Sequence, residues 1–347
     1  MQGKKNQKPP FELVDNSNLI ISGFGYFIGK ESERLVIKEK AKKIAEFALI
    51  NLDRIYINSN ATLSTSLINE ACKRGIKICI WYGGTPNVLI SSPSLSAFVE
   101  AKRAQFTAYN NSIGLTAIKK VLKSKISNQG ALLKYFQKNM TSNSSLKEQF
   151  NKYIESLINF IDKLNTVFGA DVSECRTKLL NIEALSAKEY WQALASMLPA
   201  GTNFKGRDYL SKDAINSALN FCYALLYSNI WMSILNAGLE PFAGFIHTDR
   251  PGKASLVYDL SEPFKQRLVD RIIFSMVKRK QKIVVKNGLL SDKARREIAE
   301  KFAEELSKRE IYQGKNLTLG SIIQSNIYSF VREIKTGEGY APYSMKW

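Results

Sequence analysis

The chain has one imidazole, His247, and two carboxylates, Asp259 and Glu262, follow it within sixteen residues. His247 lies in Phe245-Ile246-His247-Thr248-Asp249-Arg250-Pro251-Gly252-Lys253. The acids lie in Ser255-Leu256-Val257-Tyr258-Asp259-Leu260-Ser261-Glu262-Pro263-Phe264. An imidazole with carboxylates and no thiolate is a ligand set suited to Mg²⁺ or Mn²⁺. Such an ion polarises a phosphodiester and stabilises charge on the departing oxygen. The same spacing also suits a hydrogen-bonded core histidine that binds no ion, and spacing alone leaves both open. Other chemistries have less support. No GxxxxGK[ST] or GxSxG segment is present, which argues against an NTP motor or an elbow-type serine hydrolase. Gly23-x-Gly25-x-x-x-Gly29 has its third glycine one position late for a dinucleotide loop. It reads as a strand–turn–strand in which glycine supplies φ > 0.

The elements around these residues must fold them together. Asp249-Arg250-Pro251-Gly252 is a turn that can bring the two segments back on each other. Ser261-Glu262-Pro263 reads as a helix start, with Ser261 as N-cap and proline in the first turn. Asp259 and Glu262 share a face only if that helix begins earlier. Residues 11–91 alternate short β-branched or aromatic runs with turn residues, broken by one helix at 65–73 that Gly75 stops. Strands are expected at 11–14, 19–21, 26–28, 34–37, 54–57, 76–81 and 88–90. After a serine- and proline-containing linker at 92–98 the pattern turns to helical periodicity, at 115–124, 131–138, 145–168, 187–198, 213–237, 263–277 and 292–309. Asp213 or Ser211 could cap the 213–237 helix, and Gly238 is placed to end it. The expected class is α+β: a disordered basic tail at 1–10, a small sandwich-like β domain at 11–91, and an all-α catalytic and DNA-binding domain at 99–347.

Charge points to the partner. Fifty Lys and Arg against 31 Asp and Glu leave a net charge of +19, and the pI is near 9.6. A polyanion, nucleic acid above all, is the natural ligand. The excess sits mostly in the helical part. There Lys278, Arg279 and Lys282 form a run suited to phosphate contact, while Arg207, Arg250 and Lys253 lie nearer the proposed ion. Four cysteines among apolar neighbours, with no metal-ligand spacing, read as reduced buried thiols and suggest the cytoplasm. No apolar run is read as approaching the ~20 residues that span a bilayer, so no membrane partner is expected.

Several segments in order resemble the CRISPR-associated integrase family, the universal protein of spacer acquisition. They are Gly206-Arg207-Asp208-Tyr209 followed by Asp213-Ala214-Ile215-Asn216, then Ala218 to Tyr227, then Ala237-Gly238-Leu239-Glu240-Pro241-Phe242-Ala243-Gly244-Phe245-Ile246-His247, and the Asp259–Glu262 segment. The resemblance covers nearly the whole chain and is most specific from Asp213 to Phe264. It implies a divalent ion, Mg²⁺ or Mn²⁺, held by His247, Glu262 and an upstream glutamate. That glutamate falls at Glu183 in Leu180-Asn181-Ile182-Glu183-Ala184, with Glu189 as a rival and alanine where the family often has glycine. Asp259 takes a supporting catalytic role, orienting a ligand. The implied activity is metal-dependent endonuclease and integrase chemistry, joining 3′-hydroxyl ends of short DNA (prespacers) into CRISPR repeat DNA. The implied assembly is a homodimer built through the β domain, with two dimers bridged by a small companion protein. A structure-selective nuclease or a transposon-borne integrase would share these residues, and a non-catalytic DNA-binding scaffold would not need the ion.

Overall fold

The structure is a computed structural model that describes residues 11–345 except 15–16, 23, 59, 83–84, 93–98, 139, 141–143 and 200. The expected tail at 1–10, nearly all of the expected linker, and Gly23 lie outside the described residues. The chain divides into two compact units, Met1–Ser96 and Ala97–Trp347.

The first unit holds two sheets. Strands β1 (Phe11–Val14), β2 (Asn18–Ser22), β6 (Arg54–Asn58), β8 (Lys77–Tyr82) and β9 (Thr85–Ile90) form one, in the order β1-β2-β6-β8-β9. Strands β3 (Tyr26–Glu31), β4 (Arg34–Glu39), β5 (Lys42–Ala48) and β7 (Ala61–Leu63) form the other, in the order β5-β4-β3-β7. Alternating residues enter one shared core: Leu19 and Ile21, Ile28, Leu35 and Ile37, Ile55 and Ile57, with Leu67 and Ala71 from helix α1 (Thr65–Lys73). Strands β5 and β7 are absent from the sequence reading. Both are sheet edges, and β5 carries Lys42, Lys43 and Glu46, so its apolar alternation is weak.

The second unit is helical: α2 (Val99–Tyr109), α3 (Ser112–Lys138), α4 (Ser144–Asn165), α5 (Val172–Ser196), α6 (Ala214–Asn236), α7 (Ser255–Ser261), α8 (Arg271–Lys278), α9 (Asp292–Ser307) and α10 (Leu319–Thr336). Two short hairpins, β10–β11 (Val285–Lys286 and Leu289–Leu290) and β12–β13 (Arg309–Tyr312 and Lys315–Thr318), add to the expected all-α composition. Helix α3 joins two expected helices, and α5 begins well before residue 187. Asp213 caps α6 by accepting from the backbone N–H groups of Ile215 and Asn216, each at 2.9 Å. Gly238 follows α6 with φ +74°. Contrary to the sequence expectation, α6 is long and apolar enough to cross a membrane by length and composition, with a hydropathy of 1.3. It is also the centre of the helical core: Ala218, Leu219, Cys222, Leu226, Ile230 and Ile234 are fully buried. A helix with packed neighbours on several sides is apolar nearly all round.

The helix start expected at Ser261 is not there. Ser261 already has helical backbone angles and makes no cap; its hydroxyl donates to the Tyr258 carbonyl at 2.8 Å. The helix begins at Ser255, and Pro263 falls inside it. Proline has no N–H for the i−4 carbonyl. The path tightens to a 3₁₀ turn at Glu262–Phe264, widens to a π turn at Gln266–Asp270, and regains α geometry at Arg271.

The π turn delivers Asp270 into the core, where the hydroxyls of Tyr190 (2.8 Å) and Tyr223 (2.5 Å) donate to its carboxylate. Burial pushes its pKa up to about 6, against a downward pull from the two tyrosines. A carboxyl raised on folding favours the folded state below its unfolded pKa, near 3.8, and that contribution is lost as pH rises through about 6. The loss is about 3 kcal/mol. Asp270→Asn should therefore raise Tm relative to wild type at pH 8 and lose that advantage at pH 4–5. Parallel melting curves for the two proteins at both values would expose a pH-independent difference, which this account forbids.

Candidate metal centre

Asp259 builds the loop that presents His247. Its Oδ2 accepts from the backbone N–H of Phe245 (2.6 Å) and Ile246 (3.2 Å), and its Oδ1 from the N–H of His247 (3.2 Å). Oδ1 also lies 2.5 Å from His247 Nδ1. The fully buried carboxylate thus fixes both the loop and the ring, leaving Nε2 as the unused ring nitrogen. Burial pulls the His247 pKa down, but the hydrogen bond and charge of Asp259 outweigh it, and the net shift is upward. Other groups hold the same loop. Gln105 donates to the carbonyls of Glu240 (3.0 Å) and Ala243 (2.7 Å), and Arg176 donates to that of Phe245 (3.1 Å). Gly244 passes so close to α7 that a Cβ there would lie 2.6 Å from Ser255 Cβ.

Glu183 from α5, His247 from the loop and Glu262 at the end of α7 come together, with one ligand atom from each within 4.8 Å of the others. Glu189 is not in this cluster. Helix α3 supplies Lys125, whose ammonium lies 2.5 Å from Glu183 Oε1 and 2.8 Å from Glu262 Oε2. Lys265 lies 2.6 Å from Glu262 Oε1. Burial would raise the Glu262 pKa, but Lys125, Lys265 and His247 hold it down at about 2. Burial works against the charge of Lys125 as well, and Glu183 and Glu262 reverse the effect, leaving its pKa raised. Glu262 Oε2 is a buried oxygen whose neighbour is this ammonium, 2.8 Å away. Two carboxylates and an imidazole anchored through Nδ1, with Nε2 left unused, fit a divalent cation.

The C-terminal segment braces the turn that bears Glu262. The Asn128 amide donates to the carbonyls of Pro263 (2.7 Å) and Tyr343 (3.1 Å) and accepts from Met345 N–H (2.8 Å). The Tyr343 ring stacks on Phe264 with centroids 5.1 Å apart. Lys125 and Lys265, Asn128 and this segment are absent from the sequence-derived site.

The basic residues expected to meet DNA fall at three places. Arg207 donates to Asn216 and Asn220 and lies over the Tyr223 ring, 5.2 Å from its centroid; Lys265 lies 5.6 Å from the same ring. Lys253 sits over Tyr258, whose ring neighbours His247, and exposed Arg250 pairs with Lys253 across the turn. Lys278, Arg279 and Lys282 are exposed at and beyond the end of α8. Of the aromatic residues, Tyr190 and Tyr223 are core, whereas Tyr209 is 72% exposed.

The sequence profile of the family described as "CRISPR associated protein Cas1" matches residues 19–304. The chain belongs to the Cas1 family. A Cas1 relative in Francisella tularensis subsp. novicida, named CRISPR-associated endonuclease Cas1 1, is 35% identical over 338 residues, covering 95% of this chain and 99% of the relative. Two solved structures share the fold. One, described as a casposase bound to integration product, has a TM-score of 0.72 at 22% identity and covers 95% of this chain and 96% of its own. The other, from a Cas6-RT-Cas1–Cas2 complex, has a TM-score of 0.73 at 17% identity; the match covers 98% of this chain and 38% of that longer one.

Asp259→Ala would remove the acceptor for three backbone N–H groups, two of them buried. Each orphaned buried donor costs about 1–3 kcal/mol. Urea denaturation should show a loss of about 3 kcal/mol or more in this Cas1 variant. A loss below about 1 kcal/mol would mean that Asp259 does not organise the loop.

Proposed function

We propose that this Cas1 protein is a divalent-metal-dependent DNA endonuclease and integrase that joins the 3′-hydroxyl ends of short DNA duplexes to CRISPR repeat DNA. The observation that carries this reading is the convergence of Glu183, His247 and Glu262 around one point inside a basic helical unit. Its support from relatives is the endonuclease name of the Francisella protein and the integration product bound by the casposase.

Glu183, His247 Nε2 and Glu262 would hold Mg²⁺ or Mn²⁺. A bound divalent ion supplies Lewis acidity toward a phosphodiester and neutralises charge on the leaving oxygen. The protein supplies position. Asp259 holds the imidazole with Nε2 forward, and Lys265, Lys253, Arg250 and Arg207 offer cations to the phosphate oxygens. In the joining step the attacking 3′ hydroxyl loses its proton to solvent as its oxygen bonds to phosphorus, the P–O3′ bond in the repeat breaks, and the departing 3′ oxygen takes up a proton from solvent. Water in place of the 3′ hydroxyl gives hydrolysis at the same residues. No protein side chain needs to become a nucleophile.

Lys278, Arg279 and Lys282 would track the DNA backbone away from the reacting phosphate. The β unit would form a homodimer, and a small companion protein would join two such dimers, in keeping with the Cas1–Cas2 complex that shares this fold. Its place of action would be the cytoplasm.

A labelled short duplex incubated with a supercoiled repeat-bearing plasmid tests the reading. Wild-type protein should join the two only with Mg²⁺ or Mn²⁺. Glu183→Ala, His247→Ala and Glu262→Ala should each lower joining by about 100-fold or more while retaining DNA binding. Joining that survives chelation, or any of these substitutions, would remove this centre from the reaction, and DNA binding without joining by the wild-type protein would favour a non-catalytic scaffold. Equal joining to plasmids with and without the repeat would favour a transposon-type integrase. In a separate titration, Lys278→Ala/Arg279→Ala/Lys282→Ala should weaken binding to all duplexes alike. It should also flatten the slope of log K against log salt by about 2–3; an unchanged slope would remove these residues from the DNA path.

A further inference from the structure

We propose that Lys125 is the resident counter-cation of the metal centre: its ammonium holds Glu183 and Glu262 together when no ion is bound and competes with a divalent ion for them. The inference rests on the metal reading above and adds a residue that sets affinity for the ion.

Three observations carry it. Lys125 is 7% exposed, in the middle of α3, and its ammonium bridges one oxygen of each carboxylate, at 2.5 and 2.8 Å. A lysine of this kind, with a long stem and a compact charge, can fill a cation site and can also leave it. Next, the second oxygen of Glu262 is taken by Lys265 at 2.6 Å. Both oxygens of Glu262 therefore lie against an ammonium, and an ion that reaches either must settle beside that positive charge. The longest of the three contacts is that between Lys125 and Glu262 Oε2, at 2.8 Å. Finally, the charges balance without a metal: Glu183 and Glu262 against Lys125 and Lys265. Without Lys125, two neighbouring carboxylates would share one ammonium, and like charges in one buried site oppose each other. Lys125 thus stabilises the metal-free protein, and by doing so it weakens the ion's hold.

The test uses the full chain and Mn²⁺ alone. Lys125→Met keeps the length and apolar stem and removes the charge. In chelator it should melt below wild type. By titration calorimetry it should bind Mn²⁺ about tenfold more tightly, a gain of about 1.4 kcal/mol, and its Tm should rise further on Mn²⁺ addition than that of wild type. Lys125→Arg retains the charge and should stay near the wild-type affinity. If folded Lys125→Met binds Mn²⁺ equally or more weakly, Lys125 supports the ion rather than competing with it, and the proposal is wrong. Should Lys125→Met not fold, Lys125→Gln carries the same comparison. Glu183→Ala and His247→Ala report on the underlying reading separately. If wild type binds no Mn²⁺, or both variants bind it as wild type does, the metal centre itself fails whatever Lys125 does.

Discussion

Holding two carboxylates beside each other, Glu262 buried and Glu183 partly so, requires compensating charge, and much of the helical unit is arranged around that requirement. An isolated buried carboxylate loses several kcal/mol of hydration, so Glu183 and Glu262 can approach only with cations between them. Lys125 comes from α3 and Lys265 from the same distorted helix as Glu262. The ion pairs therefore tie α3, α5 and the 255–278 path together at one point. Asn128, one turn along α3 from Lys125, binds the Pro263 carbonyl and the C-terminal segment. The same helix thus fixes the charge balance of the site and the backbone that carries one of its acids.

Two aspartates on the 255–278 path show alternative ways of burying an acid. Asp259 is met by three backbone N–H groups and an imidazole nitrogen, so its cost is offset by donors that belong to one short loop. Asp270 is met by two tyrosine hydroxyls from α5 and α6, and burial leaves its pKa near 6. The first arrangement aims a ring at the site. The second pins α5, which carries Glu183, against the π turn that follows Glu262. Both spend stability on holding ligand-bearing elements in place, which is what a preorganised centre demands.

Legibility in the sequence followed distance along the chain. His247, Asp259 and Glu262 stand close together around a turn, so their types and spacing suggested a ligand set before any fold was known. Glu183 gave no such signal: it lies on a helix far upstream and emerged only through the family resemblance, with Glu189 as a rival on the same helix. Lys125 was missed, although a hint was present. It falls on the apolar stripe of Val121, Leu122 and Ile126, where a solvated lysine does not belong. The β/α division was readable from the change of period, while edge strands β5 and β7 and helices α2 and α10 were not. Ser261 misled because Ser-x-Pro is a cap pattern by local chemistry, and tertiary packing that starts the helix at Ser255 overrode it.

The site and the surface divide the electrostatic work. Inside, Glu183 and Glu262 are paired with Lys125 and Lys265, and Asp259 with His247. Outside, the chain keeps a net charge of +19, with exposed Arg250, Lys278, Arg279 and Lys282 among its sources. Long-range attraction thus comes from residues whose contacts with phosphate carry no information about which phosphate reacts. Under the proposed function, selection of the reacting phosphate would fall to the centre, where Glu262 is buried and Glu183 and His247 remain partly open to solvent. A charge-paired, pre-assembled centre in a cationic unit would let DNA bind broadly and react at one place. Strengthening the surface charge would tighten binding without moving that place, whereas shifting a single buried acid or lysine would move it.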